Sequence, residues 1–190
     1  MKYKLDIEEC ENYFEGWAFL HFHTLMPGYA FADRLNQLYD YRLARLDDMT
    51  IDGTDWPFYR YKDALGKTFF FLVERPVTAN AAPWDAGDKI LLVKGENAET
   101  LVQHIYADFT NNTVVDEGDL LAQEHADLLE ALLTDFTVVN VLDFTSTPAT
   151  RKAIKERQTV QQHCDKILAY IEQKRLDLSE EERMRLERFN

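Results

Sequence analysis

The sequence predicts an α+β fold: one mostly antiparallel sheet of about five or six strands with helices packed on one face, followed by a C-terminal helical extension. Several short stretches alternate apolar and polar residues as strands do, and others repeat apolar residues at helical spacing. Their order, a strand, a helix, a run of strands, a helix and a last strand, favours a split βαβ arrangement. With 190 residues, 46% of them hydrophobic, the chain is long enough to bury a core.

The first half of the chain supplies most of the predicted sheet. Residues 17–23 alternate as a central strand with apolar residues on both sides. After a Pro27-Gly28 breaker, residues 29–39 show helical spacing and predict an amphipathic helix that packs on that strand. Residues 41–46 alternate again, and residues 47–55 predict a loop that holds a short turn.

Two aromatic-rich runs, residues 56–62 and 68–74, predict a hairpin because a short polar segment with a glycine joins them. A buried strand is expected at residues 88–94. The predicted elements that follow are helices at residues 98–113 and 119–134 and a last strand at residues 136–144.

The C-terminal region predicts a long helix that begins at Thr147-Pro148 and runs to about residue 178. A capping-box pattern at Ser179 predicts a second short helix over residues 180–189. We therefore expect an α+β domain at residues 1–147 and a helical appendage at residues 148–190.

Charge divides at the same boundary. The whole chain carries a net charge of -13, whereas residues 148–190 hold 10 basic and 8 acidic residues and are net +2. Residues 95–150 hold 11 carboxylates and no lysine or arginine. An acidic body beside a basic helix favours either intramolecular docking or a reciprocal dimer, of which we favour the dimer.

Composition also excludes several classes of protein. A strongly acidic chain repels nucleic-acid backbones and anionic membranes, so neither is an expected partner. Two distant cysteines, Cys10 and Cys164, cannot build a disulfide scaffold or a four-cysteine metal site. The sequence shows neither a signal peptide nor an apolar stretch long enough to span a bilayer, so we expect a cytoplasmic protein. It contains no cofactor motif, and no cofactor is expected.

Four parts of the sequence carry a family resemblance. They are Tyr3-Lys4-Leu5-Asp6, residues 29–36 leading to residues 42–48, Tyr59-Arg60-Tyr61 with residues 68–74, and Pro83 with Asp88. In these the chain resembles the IPExxVDY family of small bacterial proteins, as a divergent member. The resemblance implies the same α+β fold. Because the family has no agreed activity, it implies no functional residue.

The predicted hairpin is crowded with aromatic side chains. On alternating strands about half of these rings would face the core and the rest would project outward, where a partner or ligand would meet them. The candidate binding residues are Trp56, Phe58, Tyr59, Tyr61 and Phe70. The alternative is burial of both faces of the hairpin beneath the appendage.

His21 and His23 are the weak candidates for a metal site, because alternate residues of a strand present two imidazoles on one side. Further ligands would have to come from Asp33 or Glu15. The simpler interpretation is a partly buried pair packed on the helix. We therefore assign no metal and no catalytic residue from the sequence.

The leading functional hypothesis is a non-catalytic protein-interaction or adaptor module, which binds a protein partner or a second copy of itself. It depends on the surplus of aromatic residues, the long helical extension and the lack of a catalytic motif. A small-molecule-binding regulatory domain that acts as a dimer is the first alternative, by analogy of fold alone. An acidic decoy of nucleic acid is the second. Enzyme activity would depend on His21 and His23 alone.

Overall fold

The computed structural model describes residues 16–65, 67–76, 88–111, 124, 126–130, 136–144 and 148–178. The strands are β1 (Trp17–Thr24), β2 (Ala44–Arg45), β3 (Met49–Ile51), β4 (Thr54–Trp56), β5 (Phe58–Lys62), β6 (Phe69–Glu74), β7 (Asp88–Lys94) and β8 (Phe136–Val141). The helices are α1 (Gly28–Tyr39), α2 (Ala98–Asn111) and α3 (Arg151–Lys174). Residues 124 and 126–130 are also helical.

Six strands form one sheet in the order β2-β5-β6-β7-β1-β8. Every neighbouring pair in this sheet is antiparallel. Because β7 and β8 both run antiparallel to β1, which lies between them, they run in the same direction, and α2 lies between them in the chain. The predicted α+β class, with its split βαβ arrangement, is confirmed.

Helices α1 and α2 pack on one face of this sheet. The alternation of β1 sends Leu20 and Phe22 toward them, and these two side chains are fully buried. Phe22 meets Phe31 of α1 and Phe109 of α2 edge to face, with ring centroids 5.0 and 5.3 Å apart. This helix-covered face is the main hydrophobic core of the sheet.

A polar contact joins the two helices at the edge of that core. The Tyr39 hydroxyl donates to Asp108 Oδ2 across 3.0 Å. Burial raises the pKa of Tyr39, and the negative charge of Asp108 raises it further. The phenol is therefore a fixed neutral donor that links α1 to α2.

The predicted hairpin forms with a regular register. Phe58 pairs with Val73 and Lys62 with Phe69, so β5 and β6 match along their length. A second, smaller hairpin was not predicted: β3 and β4 pair around Asp52-Gly53, where the sequence predicts a loop. Both turn residues have positive φ, 51° and 75°, as a two-residue Asp-Gly hairpin turn requires.

Grouped by their contacts, the described residues form two compact units. One lies within Met1–Asp48 and Asp55–Leu142, and the other within Met49–Thr54 and Asp143–Asn190. In the second unit, α3 begins at Thr150, whose side chain accepts a hydrogen bond from the Ala153 amide at 3.2 Å. The predicted helix start at Thr147 is wrong, because Thr150 is the residue that caps the helix.

The two halves of α3 differ in burial. Its second half buries Cys164, Ile167, Leu168 and Ile171. Residues 151–163 contain no buried side chain, and most of them are exposed. The predicted helix at residues 180–189 lies outside the described residues. Among the described helices, none is long and apolar enough to cross a membrane.

Candidate functional site

Two polar clusters lie at one end of the large sheet, and each is centred on one of two neighbouring residues of β7. Asp88 and Lys89 are consecutive, so their side chains lie on opposite faces of the sheet. Asp88 faces away from the helices, and Lys89 shares the helix-covered face with Leu91 and Val93. One end of the sheet thus carries a separate charged group on each face.

The cluster on the helix-covered face is centred on Lys89, whose side chain is 0% exposed. Its Nζ lies 3.3 Å from Glu74 Oε1 and donates to the Thr24 carbonyl at 3.2 Å. Burial lowers the pKa of Lys89, and the negative charge of Glu74 opposes that shift. A buried ammonium is costly without a partner, so the lysine fixes the positions of both groups that contact it.

Glu74 connects this lysine to the start of α1. Pro27, just before the helix, offers no side-chain acceptor, and the Gly28 amide donates instead to Glu74 Oε2 at 3.0 Å. A carboxylate at a helix N-terminus is favoured by the helix dipole. A β-carbon at residue 28 would overlap this carboxylate oxygen. Glycine at position 28 therefore lets the Glu74 carboxylate approach the start of α1. It is the first residue of that helix and not the helix breaker that the sequence predicts.

Local hydrogen bonds fix the segment from Thr24 to Tyr29, here called the β1-α1 turn. Thr24 Oγ1 accepts from the Met26 amide at 3.1 Å, and the Phe31 amide donates to the Pro27 carbonyl at 3.0 Å. With the Lys89 and Glu74 contacts, hydrogen bonds fix four backbone positions of this segment.

The side chains that this turn presents to solvent are apolar. Leu25 is 79% exposed and Tyr29 is 67% exposed. The chain contains no Asp, Glu, Lys or Arg between residues 16 and 32. An anchored backbone therefore displays an uncharged, apolar surface, which is the arrangement of a preorganised contact site.

The cluster on the opposite face is centred on Asp88. Its Oδ1 lies 3.1 Å from His21 Nε2 and 2.8 Å from His23 Nδ1, and Arg75 Nη1 donates to Oδ2 at 3.3 Å. All four side chains are partly buried. The Arg75 amide also donates to the Asp88 carbonyl at 2.8 Å, which extends the pairing of β6 with β7 by one residue.

These donors hold Asp88 in its ionised form. Partial burial alone would raise the pKa of Asp88, but the hydrogen bonds and charges of His21 and His23 outweigh it and lower the pKa to about 2. A carboxylate with so low a pKa is a weak general base at neutral pH. The cluster is suited to joining β1, β7 and the end of β6.

The predicted histidine pair does share one side of β1, but its surroundings differ from the prediction. Both imidazoles lie on the face away from α1, since their neighbours Leu20 and Phe22 fill the helix-covered face. The third group is Asp88, not Asp33, which is exposed on α1; Glu15 lies outside the described residues. Among the described residues, no group of three or more His, Cys, Asp or Glu side chains is arranged to hold a metal ion.

The predicted aromatic surface is not exposed. Tyr59 and Phe70 belong to the core beneath the helices, and Trp56 and Phe58 are also buried. Tyr61 is partly buried and lies 5.4 Å, centroid to centroid, from the Tyr41 ring. The expectation that half of these rings project outward is wrong, because both faces of the hairpin are buried.

Sequence reasoning missed the groups that organise this end of the sheet: Glu74, Arg75, Asp88 and Lys89. One signal was present. Lys89 has the parity of Leu91 and Val93, so a charged residue occupies an inward position of a buried strand. Its partner Glu74 has no such signal, because only the register of β6 on β7 places it opposite Lys89.

Comparison with known proteins gives no relative for this chain: no protein-family model, curated protein or solved structure matches it. The resemblance to the IPExxVDY family stays a prediction.

Proposed function

We propose that this protein is a non-catalytic protein-interaction module and that the β1-α1 turn is its recognition element. The observation that carries the proposal is the display of Leu25 and Tyr29, two largely exposed apolar side chains, on a backbone segment anchored by a buried ion pair. The binding site differs from the aromatic hairpin that the sequence predicts.

Rigidity is the reason to regard this exposure as functional. Scattered exposed apolar residues are ordinary on protein surfaces. Here the same six-residue segment is fixed by Lys89, Glu74 and the start of α1. A contact site that is already ordered loses less conformational entropy on binding, so its few apolar side chains contribute more to affinity.

The partner that fits is a protein with an apolar pocket. Tyrosine is enriched among the residues that dominate binding energy, because it buries a large ring and keeps a polar hydroxyl at the rim. A lipid surface is a poorer fit, because the net charge of -13 repels anionic membranes. We also propose a cytoplasmic location, which the buried free thiol of Cys164 supports.

Affinity isolation with three matched baits tests the proposal. The full-length chain, L25S/Y29S and L65S are tagged identically, and Leu65 is the control because it is 82% exposed on the β5-β6 turn. We expect one protein to be retained by the full-length chain and by L65S. Its affinity for L25S/Y29S should fall roughly a hundredfold, as for removal of two hot-spot side chains.

Equal retention of the same proteins by all three baits would contradict the proposal, as would a partner lost only with L65S. Circular dichroism of each bait checks that folding is unchanged. Proteins that bind this acidic chain nonspecifically should be retained equally by all three baits. Only a protein that is lost with L25S/Y29S and kept with L65S supports the proposal.

A further inference from the structure

The two edge strands of the large sheet differ in how they are protected against pairing with another chain. β2, at one edge, is two residues long and contains Arg45. β8, at the other edge, is six residues long and contains neither a proline nor a charged residue. Short length, charge and proline are the features that keep an edge strand from pairing with a further strand. β8 lacks all three, so its edge is suited to strand addition.

The backbone hydrogen bonds of β8 show which of its residues point away from the sheet. In the described part of the chain, β8 pairs only with β1. The Leu142 amide donates to the Phe19 carbonyl at 3.1 Å, so the backbone groups of Leu142 point toward β1. Successive residues of an antiparallel strand alternate in this direction. Asn140 therefore also bonds toward β1, whereas the N–H and C=O groups of Val139 and Val141 point to the outer edge.

The hydrogen bonds on the other side of β1 agree with this alternation. The carbonyl of Gly16, just before β1, accepts from the Gly95 amide at 2.9 Å, which is the side of β7. Even-numbered residues of β1 therefore bond toward β7 and odd-numbered residues toward β8. His21 is odd-numbered and lies opposite Asn140. A register shift between His23 and Thr24 interrupts the pattern, so the settled outward groups of β8 are those of Val139 and Val141.

The side chains at this edge suit a contact between two strands. Val139 and Val141 are partly buried against the core beneath the helices. Asn140 lies between them, points to the opposite face and is exposed. The edge therefore combines outward backbone groups with β-branched side chains on one face and a single amide side chain on the other.

We propose that β8 pairs antiparallel with β8 of a second copy of this chain, about a twofold axis at Asn140. In this register Val139 of each copy lies opposite Val141 of the other copy. The outward N–H and C=O groups of both valines are then all paired, in about four hydrogen bonds between the copies. An axis at Val139 or at Val141 would pair only one of these two residues with its own equivalent.

A second copy is the occupant because this edge is complementary to itself. The outward groups lie symmetrically on either side of Asn140, which is what a twofold contact requires. β8 is uncharged, so its pairing with itself brings no like charges together within the strands. The two Asn140 side chains would be directly opposite, with β-carbons about 5 Å apart, where their amides can hydrogen-bond to each other.

Salt dependence distinguishes this contact from one that is held by charge. Each copy has a net charge of -13, so the two copies repel each other at long range. Salt screens that repulsion and leaves backbone hydrogen bonds in place. The dissociation constant of the dimer should therefore fall as salt is added, and a dimer that weakens with salt would contradict the proposal.

Sedimentation velocity of the full-length chain over a concentration series tests the dimer. V139P removes an outward N–H from each copy, and so two hydrogen bonds between the copies, without removing a bond to β1. Its dissociation constant should be at least roughly tenfold higher than that of the unaltered chain. V139A is the matched control: it also loses the valine side chain but keeps the amide, so it should still dimerise. Circular dichroism checks the fold of each variant.

A charge swap at position 140 tests the register without altering the backbone. N140K alone and N140D alone place two like charges opposite each other, so each should be monomeric. In an equimolar mixture a lysine meets an aspartate, and a heterodimer should form. L65K and L65D change the net charge equally at an exposed residue of the β5-β6 turn, and both should dimerise.

A full-length chain that is monomeric at every concentration would overturn the proposal. So would dimers of V139P as stable as those of V139A, or a mixture of N140K and N140D that stays monomeric. L25S/Y29S should dimerise like the unaltered chain, because the β1-α1 turn takes no part in this contact. The dimer and the recognition element can therefore fail separately.

Discussion

Asp88 and Lys89, two neighbouring residues of β7, are each the centre of a polar cluster. The two clusters differ in burial and therefore in role. Lys89 lies on the helix-covered face, fully buried, with its charge balanced by Glu74 and its position fixed by the Thr24 carbonyl. Asp88 lies on the other face, partly exposed, and receives hydrogen bonds from two imidazoles and one guanidinium. The buried cluster therefore positions backbone, whereas the stability contribution of the partly exposed cluster depends on pH.

The largest expected effect comes from removing the charge that balances Lys89. E74Q keeps an acceptor for the Gly28 amide but leaves a buried ammonium without a counter-charge, which should cost about 3 kcal/mol of unfolding free energy. Denaturant unfolding at neutral pH measures the loss.

The double variant E74Q/K89M is the control for that measurement. It removes both charges, so it should recover at least half of the lost stability. A single K89M change should cost less than E74Q, because the Glu74 carboxylate is partly exposed and still caps α1. Equal costs for E74Q and K89M, with no recovery in the double variant, would show that the buried pair is not the source of the effect.

Gly28→Ala should be the next most damaging change, at about 2 kcal/mol, because it disturbs the Glu74 contacts with Lys89 and with the helix start. Alanine ordinarily stabilises a helix relative to glycine, so the sign itself is diagnostic. A β-carbon at residue 28 would displace the Glu74 carboxylate from both the helix start and Lys89. Thermal unfolding of G28A is compared with that of A30G, which exchanges the same two residue types within the first turn of α1. The comparison separates the effect of helix propensity from the effect of displacing Glu74. A stability gain in G28A would contradict the close approach.

Asp88→Asn should cost about 1–2 kcal/mol at pH 7, and the cost should depend on pH. The pKa of Asp88 is lowered from 3.8 to about 2 in the folded chain. A lowered carboxyl pKa stabilises the fold above the ordinary value, and this contribution is lost as the pH falls from about 4 toward 2. The stability difference between the unaltered chain and D88N should therefore shrink below pH 4, whereas a difference that stays constant would contradict the assignment.

The smallest effect on stability is expected from L25S/Y29S, which should change the unfolding free energy by less than about 0.5 kcal/mol. Both side chains are largely exposed, so little packing is lost. Thermal unfolding of this variant beside L65S checks the expectation. A large loss would mean that these side chains support the fold, and their exposure would then say nothing about a partner.

The sequence predicted the elements of the fold better than the roles of particular residues. Alternation with apolar residues on both sides identified β1 as a central strand. Two aromatic runs joined by a glycine-containing turn identified the β5-β6 hairpin, because local periodicity records which side chains are buried. The Asp52-Gly53 hairpin was missed, although an Asp-Gly pair between β-branched residues is its signal.

The sites were harder to predict because they depend on register between distant strands. His21 and His23 were identified as a pair, but their partner Asp88 lies more than sixty residues away and is brought to them only by the pairing of β1 with β7. Likewise the exposure of the hairpin rings depended on how many faces of the sheet are covered, which alternation alone does not reveal. Tertiary pairing, and not residue type, decides which groups meet.

Site-specific photo-crosslinking in cells tests whether the β1-α1 turn contacts a partner protein. A photo-reactive amino acid replaces Leu25 in one sample and Leu65 in another, both in the full-length chain. We expect a discrete covalent adduct with one partner protein from position 25, and none of that mass from position 65. The absence of an adduct from position 25, or the same adducts from both positions, would show that the β1-α1 turn is not the recognition element.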